Sequence, residues 1–280
     1  MQPAIASRTA LRVALRRAAH QLHDAPLVFD DPVAVPILGP THAEELHRTP
    51  LRPDRPFSTA LRAFIVARSR LAEDNLRHAV EKGVRQYVLL GAGLDTFAYR
   101  NPYPQLRVFE VDHPATQEWK RDLLQRNRIS VPDNITYAPV DFECQSLVEQ
   151  LDNAGFDSHA PAFFAWLGVV PYLTLQAFRD TVAFVSSQPS RSGLVLDYGQ
   201  PRAVLPPLEQ LAHDSLSARV EQAGEPFQLF FTPAEMAAEL SAFHNLEDLG
   251  ATGINARYFS GRADGLAVRG SAGRLVSAWR

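Results

Sequence analysis

Residues 85–100 read RQYVLLGAGLDTFAYR: a short apolar run, QYVLL, passes directly into Gly91-Ala92-Gly93 and then into Asp95. A run of that length and composition has strand character. The two glycines lack Cβ atoms, so the chain can turn sharply into a helix and backbone can come close to a ligand. A dinucleotide-binding loop would place a third glycine at position 96, where this chain has Thr96. Asp95 stands where a pyrophosphate would be repelled. The loop therefore suits a nucleoside ligand that carries a positive centre and no phosphate.

Working outward, the segments 106–111 (LRVFEV), 135–140 (ITYAPV), 162–167 (AFFAWL) and 193–198 (GLVLDY) share the length and composition of the first strand. Helical patterns separate them at 114–128, 144–154 and 174–187. Such alternation predicts a parallel sheet with helices on both faces, because parallel strands need crossover connections. Ligands of such sheets sit beyond the carboxyl ends of the strands. After the second strand comes Asp112, 19 residues beyond Gly93, about the spacing at which a βαβ unit delivers an acid to ribose hydroxyls. Glu110 shares its strand face and is a weaker candidate for the same hydroxyls. The third strand ends in Asp141-Phe142, a carboxylate and a ring that suit an adenine. A bare loop, a diol acceptor and a purine seat together imply an adenosine compound, with S-adenosyl-L-methionine satisfying the charge requirement.

The chain has 280 residues, 46% hydrophobic and 21% charged, with a net charge of −3. That composition is one of a globular protein with ample core, and it provides no basic field for nucleic acid or an anionic membrane surface. Cys144 is the sole cysteine, which excludes an internal disulfide and a cysteine-rich zinc site; a reducing, cytoplasmic setting is expected. The nine histidines are scattered without ligand spacing, so no metal site is expected. Ser58, Ser69 and Ser241 lie in no Gly-x-Ser-x-Gly elbow, which speaks against a hydrolase triad. No run of 18 uncharged apolar residues occurs, and the first residues carry no apolar signal core.

Ahead of the first strand, Leu11, Leu15, Ala18 and Leu22 mark one face of a helix whose other face carries Arg12, Arg16 and Arg17. Seven prolines between 26 and 56 suggest a looped, mobile connection. A second helix follows, with Ser58 or Thr59 as its N-cap and Gly83 at its end. Residues 1–82 are accordingly read as an N-terminal helical extension or lid, and 83–280 as the nucleoside-binding α/β domain. Past Gly199 the pattern is weaker: Thr232-Pro233-Ala234-Glu235 opens a helix, and the segments 246–250 (LEDLG) and 265–270 (GLAVRG) are candidate late strands.

LLGAGLDTFAYR followed by VFEVDHPATQEWK resembles the leucine carboxyl methyltransferase-like family of class I S-adenosylmethionine-dependent methyltransferases, in its bacterial branch. The likeness extends to SRTALRVALRRAAH, DDPVAVPILG and ARSRLAEDNL upstream, and to PVDFE, WLGVVPYLT, LDYGQP and GEPFQLFFTP downstream, covering about residues 7–245. The resemblance implies a Rossmann-like sheet of seven strands, mostly parallel, with one antiparallel strand near the C-terminus. It implies that Gly91 and Gly93 hold the methionine part of the cofactor, Asp112 the ribose, and Asp141 and Phe142 the adenine. Arg68, in ARSR, matches a family arginine that meets the methionine carboxylate, and Arg8, Arg16 or Arg17 would assist it. Where members that methylate a protein carboxyl terminus tend to carry a glutamate, this chain has Leu167. The implied activity is O-methylation of a carboxyl or hydroxyl group on a small molecule or protein. The rivals are a cofactor-binding protein of the same fold without turnover and a nicotinamide-dependent oxidoreductase. Tyr172 and His113 are within reach as bases, and both are expected to be structural.

Overall fold

A computed structural model describes residues 7–48, 56–141 and 145–280. Seven strands form a single sheet: β1 (Gln86–Leu90), β2 (Arg107–Asp112), β3 (Ile135–Pro139), β4 (Ala162–Trp166), β5 (Gly193–Gly199), β6 (Asn245–Leu249) and β7 (Gly273–Trp279). Their order across the sheet is β3-β2-β1-β4-β5-β7-β6. All neighbouring pairs are parallel except those made by β7, which runs antiparallel to both β5 and β6. The expected α/β fold with a mostly parallel seven-stranded sheet is thus borne out, and the strand order reverses between β1 and β4, where such sheets open their ligand crevice.

The central strands are buried on both faces, and β1 shows why. Successive side chains point to opposite sides. Val88 and Leu90 join one core with α5 (Leu147–Asn153), α6 (Leu175–Ser186) and α8 (Pro233–Glu239), while Tyr87 and Leu89 join the other with α3 (Pro56–Glu81) and α9 (Ala251–Tyr258). All five β1 residues are buried, which is why the run is apolar after Gln86 instead of alternating. A third, smaller core lies under α1 (Arg8–His23), where Ala14 and Ala18 meet Ile37, Leu38, Leu94 and Leu124 of α4 (Pro114–Arg126).

Several local expectations change in the structure. The 265–270 segment is not a strand; the last strand is β7, whose residues 275–278 are buried between β5 and β6. The proline-rich stretch contains a 3₁₀ turn at Pro36–Leu38 and helix α2 (Gly39–Arg48), because prolines 36 and 40 stand at the first positions of helical turns, where a missing N–H costs nothing. Pro50 and Pro53 lie outside the described residues. Helix α3 starts at Pro56, so Ser58 and Thr59 sit inside its first turn and do not cap it. Arg17 lies on the buried side of α1 and not on a solvated one. Thr232 and Glu235 do form a capping box at the start of α8, each side chain bonding the other's backbone N–H.

Candidate active site

A cleft of about 670 Å³ runs across the carboxyl ends of β1 to β4. Its floor is the glycine loop. Gly91 N–H and Ala92 N–H both donate to the Val111 carbonyl, which folds the loop back over the tip of β2. Gly91 has φ +68° and Gly93 φ +49°, conformations that cost a side chain dearly. A Cβ on Gly91 would also collide with Val169, and one on Gly93 would press on Ala10 of α1. The glycines therefore serve both the turn and the close packing of the loop against its neighbours.

Asp112 reaches from the end of β2 into this loop. Its Oδ2 accepts the Gly93 N–H at 2.5 Å and its Oδ1 accepts the His113 N–H at 2.7 Å. Burial raises the Asp112 carboxyl above its ordinary value, opposed by those two backbone donors. Asp141, past β3, lines the same cleft, 4.0 Å from His113 Nε2. Phe142 lies outside the described residues. Glu110 is not in the cleft: it is fully buried, 2.7 Å from Lys120 Nζ and bonded by the Tyr99 hydroxyl, and burial pushes its carboxyl up to about 7 despite Lys120. It shares the strand face of Asp112 but stands two residues short of the strand end, where Lys120 and Tyr99 cover it. His113 accepts the Ala115 N–H through Nδ1 and caps α4, a structural task as expected.

Arg68, on α3, enters the cleft from the other side. Its Nη1 donates to Asp197 Oδ2 at 3.0 Å, and the guanidinium packs on Gly168, where a Cβ would come within 2.7 Å of it. Asp197 Oδ1 in turn accepts the Gly168 N–H at 2.5 Å. Among the three candidate arginines of the first helix, Arg17 lines the cleft; Arg16 donates to the Arg12 carbonyl, and Arg8 is exposed. Arg17 bonds Asp31, Thr96 Oγ1 at 2.6 Å and Asp95 at 3.4 Å. Burial opposes its charge, but Asp31 and Asp95 outweigh that and raise its pKa. Thr96, in place of a third glycine, is fully buried and donates its hydroxyl to Asp31 at 2.7 Å. Arg100 closes the network, bonding Asp31 at 3.1 Å and pairing with Glu73 of α3.

Asp31, Asp197 and Glu225 were not singled out by the sequence. Asp197 was within reach of the strand-tip rule that found Asp112, since it lies in the second half of β5. Asp31 and Glu225 fall in DDPVAVPILG and GEPFQLFFTP, two segments of the family likeness, but those segments lack strand periodicity and no role followed for either acid. Tyr172 and Leu167 both line the cleft beyond β4, and burial, with a smaller push from Glu225, raises the Tyr172 hydroxyl to about 12. Among the described residues, no group of histidines, cysteines and acids could hold a metal ion, and no helix is long and apolar enough to cross a membrane.

The family model of leucine carboxyl methyltransferase matches residues 10–186, a span that contains most of α1, all of α3, the glycine loop and the tips of β1 to β4. The chain belongs to the leucine carboxyl methyltransferase family. As a member it is an S-adenosyl-L-methionine-dependent methyltransferase. It is 29% identical over 287 residues to a Bacillus subtilis protein named "Putative S-adenosyl-L-methionine-dependent methyltransferase", with 94% of each chain covered. A Streptomyces coelicolor protein of similar name is 36% identical over 208 residues, 70% of this chain and 71% of that one. In fold, the chain is similar to a methyltransferase-like crystal structure from Thermobifida fusca, with a TM-score of 0.59 at 17% identity and 96% and 94% of the two chains covered. A protein from Streptomyces avermitilis superposes with a TM-score of 0.56 at 18% identity, with 98% of each chain covered.

The cleft fits the methyl donor on its own chemistry. The described lining supplies a carboxylate at a strand tip beside bare backbone, a guanidinium with donors beyond its one hydrogen bond to Asp197, and no constellation for a pyrophosphate.

Proposed function

We propose that this methyltransferase acts on an oxygen, that of a carboxyl or hydroxyl group on a small molecule or protein. In this reading Gly91 and Gly93 admit the methionine portion of the donor, Arg68 receives its carboxylate with Arg17 beside it, Asp112 holds the ribose hydroxyls, and Asp141 with Phe142 holds the adenine. The observation that carries the placement of the donor is Asp112: its carboxylate sits at the tip of β2, half in the cleft and fixed by the Gly93 N–H, where a diol would complete its acceptor capacity. When bound, the donor supplies a methyl group on a sulfonium, which passes to the acceptor oxygen as the S–C bond breaks and a neutral thioether is left.

The protein's own contribution is alignment and exclusion of water, effects that reach roughly 7–11 kcal/mol in well-oriented systems. Helix α1 supports both, since Thr9, Ala10, Val13, Ala14 and Arg17 form a wall of the cleft and Ala10 packs over Gly93. Of the two oxygen acceptors a carboxylate agrees better with the lining: the one histidine among the described lining residues is the cap His113, and Tyr172, raised to about 12, stays a phenol at neutral pH and does not serve as a base there. A carboxylate would need no base at all. A protein that binds the donor without turnover is the second reading, kept by Leu167 in the cleft wall.

Calorimetry with S-adenosylmethionine, S-adenosylhomocysteine and NAD, followed by transfer of a radiolabelled methyl group into size-fractionated cell extract, tests the proposal. Binding of the first two, no binding of NAD, and base-labile label in one fraction are expected for a carboxyl ester; base-stable label would mark an ether. Label on nitrogen, or binding with no transfer to any fraction, would refute oxygen transfer.

A further inference from the structure

A charged pair that the proposed chemistry does not use lies between α4 and β2, two residues short of Asp112. Helix α4 buries Thr116, Gln117, Lys120 and Leu124. Gln117 Nε2 donates to the Glu110 carbonyl at 2.8 Å and to the Ala138 carbonyl at 3.1 Å, which sets the helix across β2 and β3. Lys120, three residues on and so on the same helix face, donates through Nζ to Glu110 Oε1 at 2.7 Å and lies 5.2 Å over the Tyr99 ring. The Tyr99 hydroxyl donates to Glu110 Oε2 at 3.2 Å and meets the Tyr137 hydroxyl at 3.1 Å. Lys120 is 1% exposed and Glu110 0%, so both charges are withdrawn from water.

A buried ion pair is a poor way to stabilise a fold, because apolar residues of the same volume pack as well without desolvating two charges. What this pair does is set a cation beside Asp112. Glu110 and Asp112 point to the same side of β2, roughly 7 Å apart along the strand. Burial raises the Asp112 carboxyl; the N–H groups of Gly93 and His113 lower it, and the Lys120 charge lowers it further. Both Asp112 oxygens already accept those backbone N–H groups, so a proton there would take an acceptor position that a diol needs. Burial also pushes the Glu110 carboxyl up to about 7, against the pull of Lys120. As Glu110 takes up a proton, its charge no longer offsets Lys120, and the ammonium acts on Asp112 alone. Among the described residues, the other titratable groups facing the pair are Asp95, which works with burial to raise Glu110, and Tyr99 and Tyr137, both raised by burial and uncharged throughout. Arg121 lies over the Tyr137 ring, and His113 with Asp141 stands at the cleft edge.

Resting on the placement of the ribose at Asp112, we propose that Lys120, held by Glu110, is a positioning residue for donor binding: its buried charge keeps the Asp112 carboxylate in the form that accepts the ribose hydroxyls. The test measures the affinity of the full chain for S-adenosylhomocysteine by calorimetry at about pH 8 and about pH 5, with a melting curve at each pH. Lys120→Met is expected to lose about 3-fold or more affinity in acid beyond what wild type loses, which corresponds to a shift of about half a pH unit at Asp112, within reach of one charge acting through an effective dielectric near 20. The double variant Glu110→Gln with Lys120→Met carries no buried charge, so it melts at or above wild type and shows the same extra loss in acid. Glu110→Gln alone keeps an oxygen for Lys120 Nζ and adds no acid loss. In an Asp112→Asn background, where position 112 cannot titrate, Lys120→Met adds none either.

His113 and Asp141 are present in every variant, so their titration is common to all the curves and cancels in the comparison. Equal acid loss in wild type and Lys120→Met, or an extra loss that persists in the Asp112→Asn background, would overturn the assignment of Lys120. Unfolding of the double variant at pH 8 would do the same by showing that the pair only holds the fold. Failure of wild type to bind S-adenosylhomocysteine, or full affinity in Asp112→Ala, would instead overturn the ribose placement beneath it.

Discussion

Replacing Asp112 by alanine probes the centre of the proposed donor site. The carboxylate is buried enough for its pKa to be raised, and it already accepts Gly93 N–H at 2.5 Å and His113 N–H at 2.7 Å. Its removal takes away the ribose partner and unties the loop at Gly93. A hydrogen bond to a charged group contributes about 1.5–3 kcal/mol, so affinity for S-adenosylhomocysteine should fall roughly 10- to 150-fold. Asp112→Asn keeps one acceptor oxygen for Gly93 and loses only the charge, and it should stay within about 10-fold of wild type. Isothermal calorimetry reads both constants, and a melting curve of each unliganded variant separates loss of binding from loss of fold. An alanine variant that binds as tightly as wild type, with an unchanged melting temperature, would mean that the ribose does not sit at the tip of β2.

Gly91→Ala should destabilise the fold by about 2–5 kcal/mol, since it forces a side chain into φ +68° and against Val169; a lowered denaturant midpoint, partly restored by Val169→Ala, checks this. Arg68→Lys should weaken donor binding by about 10-fold or more while leaving the charge in place, because an ammonium cannot serve Asp197 and a second carboxylate in one plane; equal affinity by calorimetry would contradict it. Asp31→Asn should cost about 3–5 kcal/mol at neutral pH by leaving Arg17 and Arg100 short of a buried partner, read from urea unfolding. Burial works to raise the Asp31 carboxyl, yet Arg17 and Arg100 lower it below its ordinary 3.8, so its stabilisation is present above that value and lost as pH falls through the lower folded value. Wild type should therefore lose stability in acid below that range more steeply than Asp31→Asn; parallel acid curves would argue against the network. Limited proteolysis at residues 40–56 should slow when the donor analogue is added if α1 and its neighbours close over the cleft, and equal cleavage in both conditions would count against closure.

Strands β1 to β5 could be placed from the sequence to within about a residue or two because each is a short, largely apolar run closed by a glycine or an acid at or just past its end. The late strand β7 was missed because residues 273–279, GRLVSAW, have a mixed composition that becomes strand only through pairing with β5 on one side and β6 on the other. The sequence alone determined the fold class and placed the glycine loop, the acid at the end of β2 and the acid past β3, since each follows from local spacing within successive strand units.

Only the tertiary structure decided which arginine of the first helix enters the cleft, since Arg17 depends on Asp31, 14 residues away, and on Thr96, 79 residues away. The same holds for Asp197 meeting Arg68 across 129 residues and Glu225 meeting Thr9 across 216. A charged side chain is buried or exposed according to the partner that the folded backbone brings to it, and a local pattern carries no record of a partner so far along the chain.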